Sequence, residues 1–196
     1  MNFLLLDILA CPIDKEHPLK LYIFSFDTPE DQIEQILSED GISKIINLIR
    51  KDGELFLKDK IITKSTPLEE YLNQIQSKID LLELVVNYST NMVSNKYIKK
   101  IKSDVKKRLD EFSDTLQKSQ IENILPDLLL LNKFLLDVKI DTGVLLCQKC
   151  NRWYPIFDAI PQLLPDGQRN FKEEIKRFTT KTEKFNQFKN ENNISI

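Results

Sequence analysis

The three cysteines constrain the fold of this 196-residue chain more than any other feature, because they lie near its opposite ends. Cys147 and Cys150 form a C-x2-C pair after an apolar run, and two thiolates at this spacing can bind one tetrahedral Zn²⁺ without strain. The segment Cys11-Pro12-Ile13-Asp14 looks like a second knuckle in which Asp14 takes the place of a cysteine. We therefore expect the two ends to fold together into a small zinc-ribbon-like domain.

The sequence leaves the fourth ligand of such a site open. We predict His17, the single histidine, which would complete a Cys₃His set with Cys11, Cys147 and Cys150. Asp14 could ligate through oxygen instead, although a carboxylate is less usual in a closed structural zinc site. The residues are also compatible with a ribbon that packs without metal, and with a redox pair of Cys147 and Cys150. The odd cysteine count disfavours a disulfide framework and indicates a reducing cytosol.

The glycine content argues against a nucleotide-using enzyme. Only four glycines occur, all far apart in sequence, whereas a glycine-rich phosphate turn needs them closely spaced. A catalytic unit of the Ser-His-Asp or Cys-His kind would have to centre on His17. A net charge of −2 also argues against nucleic-acid binding by bulk electrostatics. We therefore expect no catalytic residues. We also expect a cytoplasmic protein, because the apolar segment at residues 1–11 lacks the basic region of an export signal and is interrupted by Asp7.

Composition and punctuation predict an α+β fold in three parts. Residues 1–26 plus 141–167 are expected to form the zinc-ribbon-like domain, residues 27–140 a helical insertion, and residues 168–196 a polar tail, helical or mobile. A ribbon this small cannot build a robust core alone, so metal binding or packing must contribute.

The insertion carries capping signals and apolar stripes at helical spacing. Thr28-Pro29 and Thr66-Pro67 are helix starts, Asp40-Gly41 is a helix end, and Pro126 starts or kinks the last helix. A brief strand is predicted over Glu54–Lys58. Helices are predicted from 30 to 40, 42 to 53, 68 to 86, 98 to 116 and 125 to 138.

One helix of the insertion is strongly basic. Between Lys96 and Arg108 lie seven basic residues and one acid, Asp104. The basic residues are Lys96, Lys99, Lys100, Lys102, Lys106, Lys107 and Arg108. We interpret the run first as the solvated face of an amphipathic helix, because apolar residues interrupt it at core spacing. A nucleic-acid patch is the alternative.

The two ends of the chain carry a set of short motifs in a fixed order. They are Ile8-Leu9-Ala10-Cys11-Pro12, then Cys147-x-x-Cys150, Tyr154-Pro155-Ile156 and Ile160-Pro161-x-Leu163-Leu164-Pro165. In this order and spacing the motifs resemble those of the small zinc-ribbon activator subunit shared by several methyltransferases. The resemblance implies a non-catalytic chain with zinc and no S-adenosylmethionine site. It also implies a heterodimer with a class I methyltransferase catalytic subunit that modifies tRNA, rRNA or release factors.

Two residues depart from this family's pattern at positions where it often has glycine. Asn151 tolerates a left-handed turn, so the second knuckle should survive. Ala159 tolerates a positive φ poorly, so the local turn is expected to differ.

The apolar segment from Ala159 to Pro165 is predicted to be an edge strand, because its prolines cannot donate ladder hydrogen bonds. Such an edge can accept a strand of another protein, while filling the ribbon's own core is the alternative. The predicted partner-binding residues are Phe3, Leu4, Leu5, Ile160, Pro161, Gln162, Leu163, Leu164 and Pro165. The basic helix could guide tRNA toward the partner's active site. An independent zinc-ribbon nucleic-acid-binding protein is the competing hypothesis.

Overall fold

Strands from both ends of the chain form one five-stranded sheet. The computed structural model describes residues 1–38, 45–115 and 118–194. In chain order the strands are β1 (Lys20–Phe26), β2 (Asn47–Lys51), β3 (Glu54–Lys58), β4 (Thr66–Pro67), β5 (Val85–Asn87), β6 (Ile140–Leu146), β7 (Trp153–Phe157) and β8 (Ile160–Pro161). The α-helices are α1 (Glu30–Ser38), α2 (Leu68–Glu83), α3 (Met92–Lys100), α4 (Lys106–Thr115), α5 (Leu125–Asp137), α6 (Phe171–Lys181) and α7 (Lys184–Glu191). The predicted α+β class is confirmed.

The chain divides into two units. The first contains Met1–Thr28, Leu84–Asn91 and the chain from Lys139 onward, and the second contains Pro29–Glu83 and Met92–Val138. The first unit therefore takes in a short segment from the middle of the chain, which supplies β5. The second unit holds α1 to α5 and a three-stranded sheet in the order β2-β3-β4.

The sheet of the first unit has the order β5-β1-β6-β7-β8. Its centre is the antiparallel pair of β1 and β6, in which Tyr22 lies opposite Val144. β7 and β8 continue the antiparallel order, whereas β5 joins β1 in parallel. The strand at one margin of this sheet is thus the short β8, which follows β7 through a tight turn.

The polar tail forms a helical layer on one face of this sheet. Phe178, Phe185 and Phe188 are fully buried against aromatic residues of the strands. The Phe178 ring centroid lies 5.7 Å from that of Phe24, and the Phe185 centroid lies 5.4 Å from that of Trp153. Burial of large aromatic side chains is a major stabilising contribution, so α6 and α7 are integral to the first unit.

Both positions that depart from the family's glycines adopt left-handed backbone. Asn151 has φ +57°, as its residue type allows. Asp158 and Ala159 have φ +50° and +63°, and together they form the two-residue turn between β7 and β8. The expected departure of the turn at Ala159 is therefore wrong. The conformation is held by the Ala159 N–H, which donates to the Asp141 carbonyl at 2.9 Å, and by an ion pair of Asp158 with Lys181 at 2.6 Å.

The helix predicted over residues 42–53 is wrong from Asn47 onward, because Asn47–Lys51 is a strand, whereas Ile45 is helical. Asp52 and Gly53 have φ +52° and +79°, the left-handed pair that a tight hairpin requires. Glu54–Lys58 pairs back along Asn47–Lys51, so the brief strand predicted there is confirmed. The left-handed turn at Asp52 and Gly53 favours a hairpin here, although the apolar residues that precede it are spaced as in a helix. The predicted helix end at Asp40-Gly41 lies outside the described residues.

Helix boundaries in the second unit follow the capping signals better than the stripes. The helix predicted from 68 to 86 ends at Glu83, and Val86 lies in β5 of the first unit, so the predicted helix is too long at its C-terminal end. Pro126 lies in the first turn of α5 and starts that helix. A π-helical turn over Ile101–Val105 joins α3 to α4 within the basic run. Leu116, the last residue of the helix predicted from 98 to 116, lies outside the described residues.

Gly143 allows β1 and β6 to pair closely. A Cβ at this position would lie 2.5 Å from the Tyr22 carbonyl oxygen. We predict that Gly143→Ala lowers the free energy of unfolding by about 2 kcal/mol, measured by urea unfolding, because the strands must separate to admit the methyl group.

Gly167→Ala is the matched control, since a Cβ on that glycine would meet nothing within 4 Å. We expect it to leave stability unchanged or slightly raised, because alanine restricts the unfolded chain. Equal unfolding midpoints for the two variants would contradict the close approach at Gly143.

Candidate functional site

The two predicted knuckles lie together in the first unit. The ligand atoms of Cys11, Asp14, Cys147 and Cys150 all lie within 4.8 Å of one another. Cys11 and Cys147 are buried, whereas Asp14 and Cys150 are partly exposed. Pairing of β1 with β6 accounts for this proximity, because each knuckle adjoins one of these strands.

The two knuckles share one backbone pattern. The Cys11 N–H donates to the Glu16 carbonyl at 2.9 Å, and the Cys147 N–H donates to the Arg152 carbonyl at 2.8 Å. In each knuckle the residue before this acceptor has a positive φ, at Lys15 and at Asn151. Each first cysteine is therefore followed three residues later by an equivalent position. Asp14 occupies that position in one knuckle and Cys150 in the other.

The predicted ligand His17 is not part of the cluster. Its ring Nε2 lies 3.1 Å from the Asp7 carbonyl oxygen, and the side chain is exposed. Among the described residues Asp14, not His17, joins the three cysteines. The correction has a geometric cause, because His17 lies beyond the turn that directs Asp14 inward.

The four donors fit a zinc ion. Zn–S bonds of about 2.3 Å in a tetrahedron place neighbouring sulfurs roughly 3.8 Å apart. Cys11 Sγ lies 3.7 Å from Cys150 Sγ, and Cys147 Sγ lies 3.5 and 3.6 Å from the two carboxylate oxygens of Asp14. Three thiolates and one carboxylate thus form a closed set, and a metal held there would be structural. It would join the two knuckles.

The protonation states of these groups differ in the metal-free cluster. Burial opposes ionisation of Asp14, but hydrogen bonds from the Glu16 N–H and the cysteine thiols outweigh it and lower its pKa to about 2. Burial raises the pKa of Cys147 to about 12. Burial also acts to raise the pKa of Cys11, but hydrogen bonds from the Asp14 backbone and the Tyr154 hydroxyl lower it.

Tyr154 supports the cluster from the sheet. Its hydroxyl oxygen lies 3.1 Å from Cys11 Sγ, and the side chain is fully buried. Burial raises the pKa of Tyr154, so its hydroxyl remains protonated and can donate to a Cys11 thiolate. A neighbour of this kind orients a metal ligand and stabilises its charge.

Comparison with known families gives the identity of the chain. Residues 2–158 match the family model described as Trm112p-like protein. The chain belongs to the Trm112p-like family. This confirms the resemblance, and the family is known for activating methyltransferases. A search of curated proteins gave no match. The family match of this Trm112p-like protein ends before β8, so β8, α6 and α7 lie beyond it.

The predicted partner-binding residues fall into two groups. Ile160 is 63% exposed and Leu164 is 41% exposed, whereas the residues between them and Pro165 are partly buried. Phe3 is 2% exposed and lies 6.5 Å from the Phe26 ring, so its assignment to a partner surface is wrong. Leu4 and Leu5 beside it are partly buried. Phe3 instead completes the core, which a ribbon of this size needs.

Two exposed apolar residues beside the first knuckle were not predicted. Ile8 is 70% exposed and Ile13 is 44% exposed. Both lie within three residues of Cys11. Their position beside the turn of the first knuckle was the feature of the sequence that could have indicated their exposure. Singly exposed apolar residues are common, so this observation alone assigns no function.

The basic run is partly neutralised within the second unit. Four of its side chains pair with carboxylates, at N–O distances of 3.9, 2.5, 3.8 and 2.6 Å. The pairs are Lys102 with Glu83, Lys106 with Asp80, Lys107 with Glu111, and Arg108 with Asp127. The interpretation as a solvated helix face therefore fits the second half of the run. None of the helices that the structure describes is both long and apolar enough to cross a bilayer.

The metal site can be tested by substituting Asp14 and His17 one at a time. We predict that Asp14→Asn lowers zinc affinity at least tenfold, because it removes a charged ligand, and that Asp14→Cys raises it. His17→Gln should leave the affinity unchanged, because His17 lies outside the cluster. Competition with a chromophoric chelator measures all three variants. A loss with His17→Gln equal to that with Asp14→Asn would contradict the assignment.

Zinc affinity should also increase as the pH rises from about 6 to 8. The raised pKa of Cys147 keeps its thiol protonated in the metal-free protein, so Zn²⁺ must displace a proton. Asp14 is already ionised in this range and adds no pH dependence. Chelator competition at several pH values gives the profile, and a weakly buffered titration detects the released protons. A flat profile would exclude thiolate ligation.

Proposed function

We propose that this chain is a non-catalytic subunit that binds and activates class I S-adenosylmethionine-dependent methyltransferases acting on tRNA or other translation components. The observation that carries the proposal is the β8 margin, where Ile160 and Leu164 stay exposed although most large apolar groups of the unit are buried. Membership of a family of methyltransferase activators supports it. The chain would act as one half of a cytoplasmic heterodimer.

The backbone of the β8 margin suits pairing with a foreign strand. The Gln162 N–H donates inward to the Pro155 carbonyl at 2.8 Å. Gln162 thus continues the register of β8, and since successive residues of an extended strand point their N–H groups to opposite sides, we expect the Leu163 N–H and carbonyl to face away from β7. Pro161 and Pro165 lack N–H donors, which limits indiscriminate pairing. A partner strand can therefore bond to this margin over a short, defined length.

A groove beside this margin can receive an apolar side chain. Its volume is about 210 Å³, and its walls include Phe157, Leu164 and Arg177. The last of these belongs to α6, beyond the family match. The guanidinium carbon of Arg177 lies 4.3 Å from the Phe157 ring centroid, so these two residues form one continuous wall. We infer that the methyltransferase inserts an aliphatic or aromatic residue here when its strand pairs with β8.

The metal site has a supporting role in this proposal. Cys147 and Cys150 lie in the turn between β6 and β7, and β8 pairs with β7. A zinc ion would fix that turn to the first knuckle and so hold the sheet that presents the margin. Scattered glycines and the lack of a glycine-rich turn in the sequence support a subunit without its own S-adenosylmethionine site.

The test is co-expression with methyltransferase catalytic subunits from the same genome. We predict that Ile160→Asp combined with Leu164→Asp reduces co-purification at least tenfold, because charged groups would be buried against the partner. Methyl transfer by the co-expressed enzyme should fall in parallel. Thermal unfolding of the isolated variant should stay near that of the parent, since both side chains are exposed.

Met92→Asp is the matched control, because Met92 is 71% exposed and lies in the second unit. It should leave co-purification intact. A catalytic subunit that binds the double variant as well as the parent would refute the β8 docking site. Failure of every such subunit to bind or respond to the parent chain would refute the activator role itself.

A further inference from the structure

The first half of the basic helix presents lysines that pair with no carboxylate of the described residues. Lys96, Lys99 and Lys100 lie on α3, are exposed, and have no ion pair with an acid among the residues that the structure describes. Their spacing of three and four residues places the three ammonium groups on one face of the helix. This face differs from the rest of the run, where four basic side chains are paired.

An aromatic ring lies among these lysines. Tyr97 is partly exposed, and its ring centroid is 5.7 Å from Lys96 Nζ and 6.0 Å from Lys100 Nζ. Lys99 completes the set, which we call the α3 basic face. A stacking surface flanked by cations is the combination that single-stranded nucleic acid recognises, because phosphates meet the cations while a base stacks on the ring.

The helix changes its winding where the pairing pattern changes. Ile101–Val105 is a π-helical turn, and it follows Lys100 directly. Such turns are rare and occur often at functional sites. The wider turn alters the angular position of the following residues, so Lys102 and Lys106 reach Glu83 and Asp80 of α2. The lysines of the α3 basic face have no such pairing within residues 1–38, 45–115 and 118–194.

We propose that the α3 basic face binds RNA through a single-stranded loop, with phosphates on Lys96, Lys99 and Lys100 and one base stacked on Tyr97. The contact goes beyond the activating role and requires no methyltransferase. Because the whole chain carries a net charge of −2, bulk attraction contributes little, and we expect the local contacts of this face to be strongly screened by salt. Polyaspartate, which has no aromatic or apolar side chain, would use the cations alone and gain nothing from the ring.

The experiment measures fluorescence anisotropy of a labelled RNA stem-loop with the full chain at low salt. We expect Lys96→Gln, Lys99→Gln and Lys100→Gln together to reduce affinity at least tenfold. The slope of log affinity against log salt should become shallower by about two, since each phosphate contact on a single strand contributes roughly 0.7. The single variant Lys99→Gln gives a smaller loss in the same direction, should the triple variant unfold.

The matched control changes the same charge elsewhere. Lys172→Gln, Lys176→Gln and Lys184→Gln together alter net charge equally, on α6 and α7 of the first unit. This control should leave the affinity within twofold. Tyr97→Ala should reduce it at least fivefold while leaving the salt slope unchanged, because stacking releases no counterions.

Three results would overturn the proposal. The first is no binding by the parent chain at low salt, and the second is an equal loss in the control. The third is displacement of the RNA by polyaspartate as readily as by unlabelled RNA, with no effect of Tyr97→Ala, which would indicate an acidic protein partner instead. None of these depends on whether a methyltransferase binds at β8.

Discussion

The pairing of β1 with β6 is the interaction on which the rest of the first unit depends, because it joins the two ends of the chain. Where β6 begins, the Met1 ammonium donates to the Ile140 carbonyl at 2.8 Å, and the Ile140 N–H donates to the Met1 carbonyl at 2.7 Å. The cost of closing a loop grows only logarithmically with its length. A long insertion is therefore compatible with the ribbon, provided that the strands meet as closely as Gly143 allows.

The same pairing explains how far the sequence predicted the metal site. Cysteine spacing identified Cys11, Cys147 and Cys150, because a knuckle is a local structure whose residues are read directly from the chain. The fourth position was wrong because ligand preference favoured His17 over a carboxylate. The two knuckles share a backbone pattern in which Asp14 and Cys150 occupy equivalent positions. The sequence already placed Asp14 where a second cysteine was expected, so this equivalence of position was a better guide to the cluster than the ligand preference of the residue type.

Burial of side chains was harder to predict than the starts of helices, because burial depends on residues that are distant in sequence. Capping signals gave the start of the helix at Leu68, since they act on adjacent backbone groups. Phe3 lies in the core although the sequence predicts it on a partner surface, and the tail predicted to be polar, helical or mobile buries three phenylalanines fully. Phe178, Phe185 and Phe188 recur seven and three residues apart across a helix break, a signal that becomes meaningful only once a sheet face is available.

The aromatic layer also restricts where a partner can bind to the first unit. A protein that approached the sheet face under α6 and α7 would have to displace three buried phenylalanines, each of which contributes several kilocalories when buried. The docking proposed at β8 requires no such displacement, since Ile160 and Leu164 are already exposed. The layer beyond the family match thus closes one face of the sheet to a partner and supplies one wall of the groove beside β8. In this proposal the helical layer both stabilises the ribbon and leaves the β8 margin as the accessible edge of the sheet.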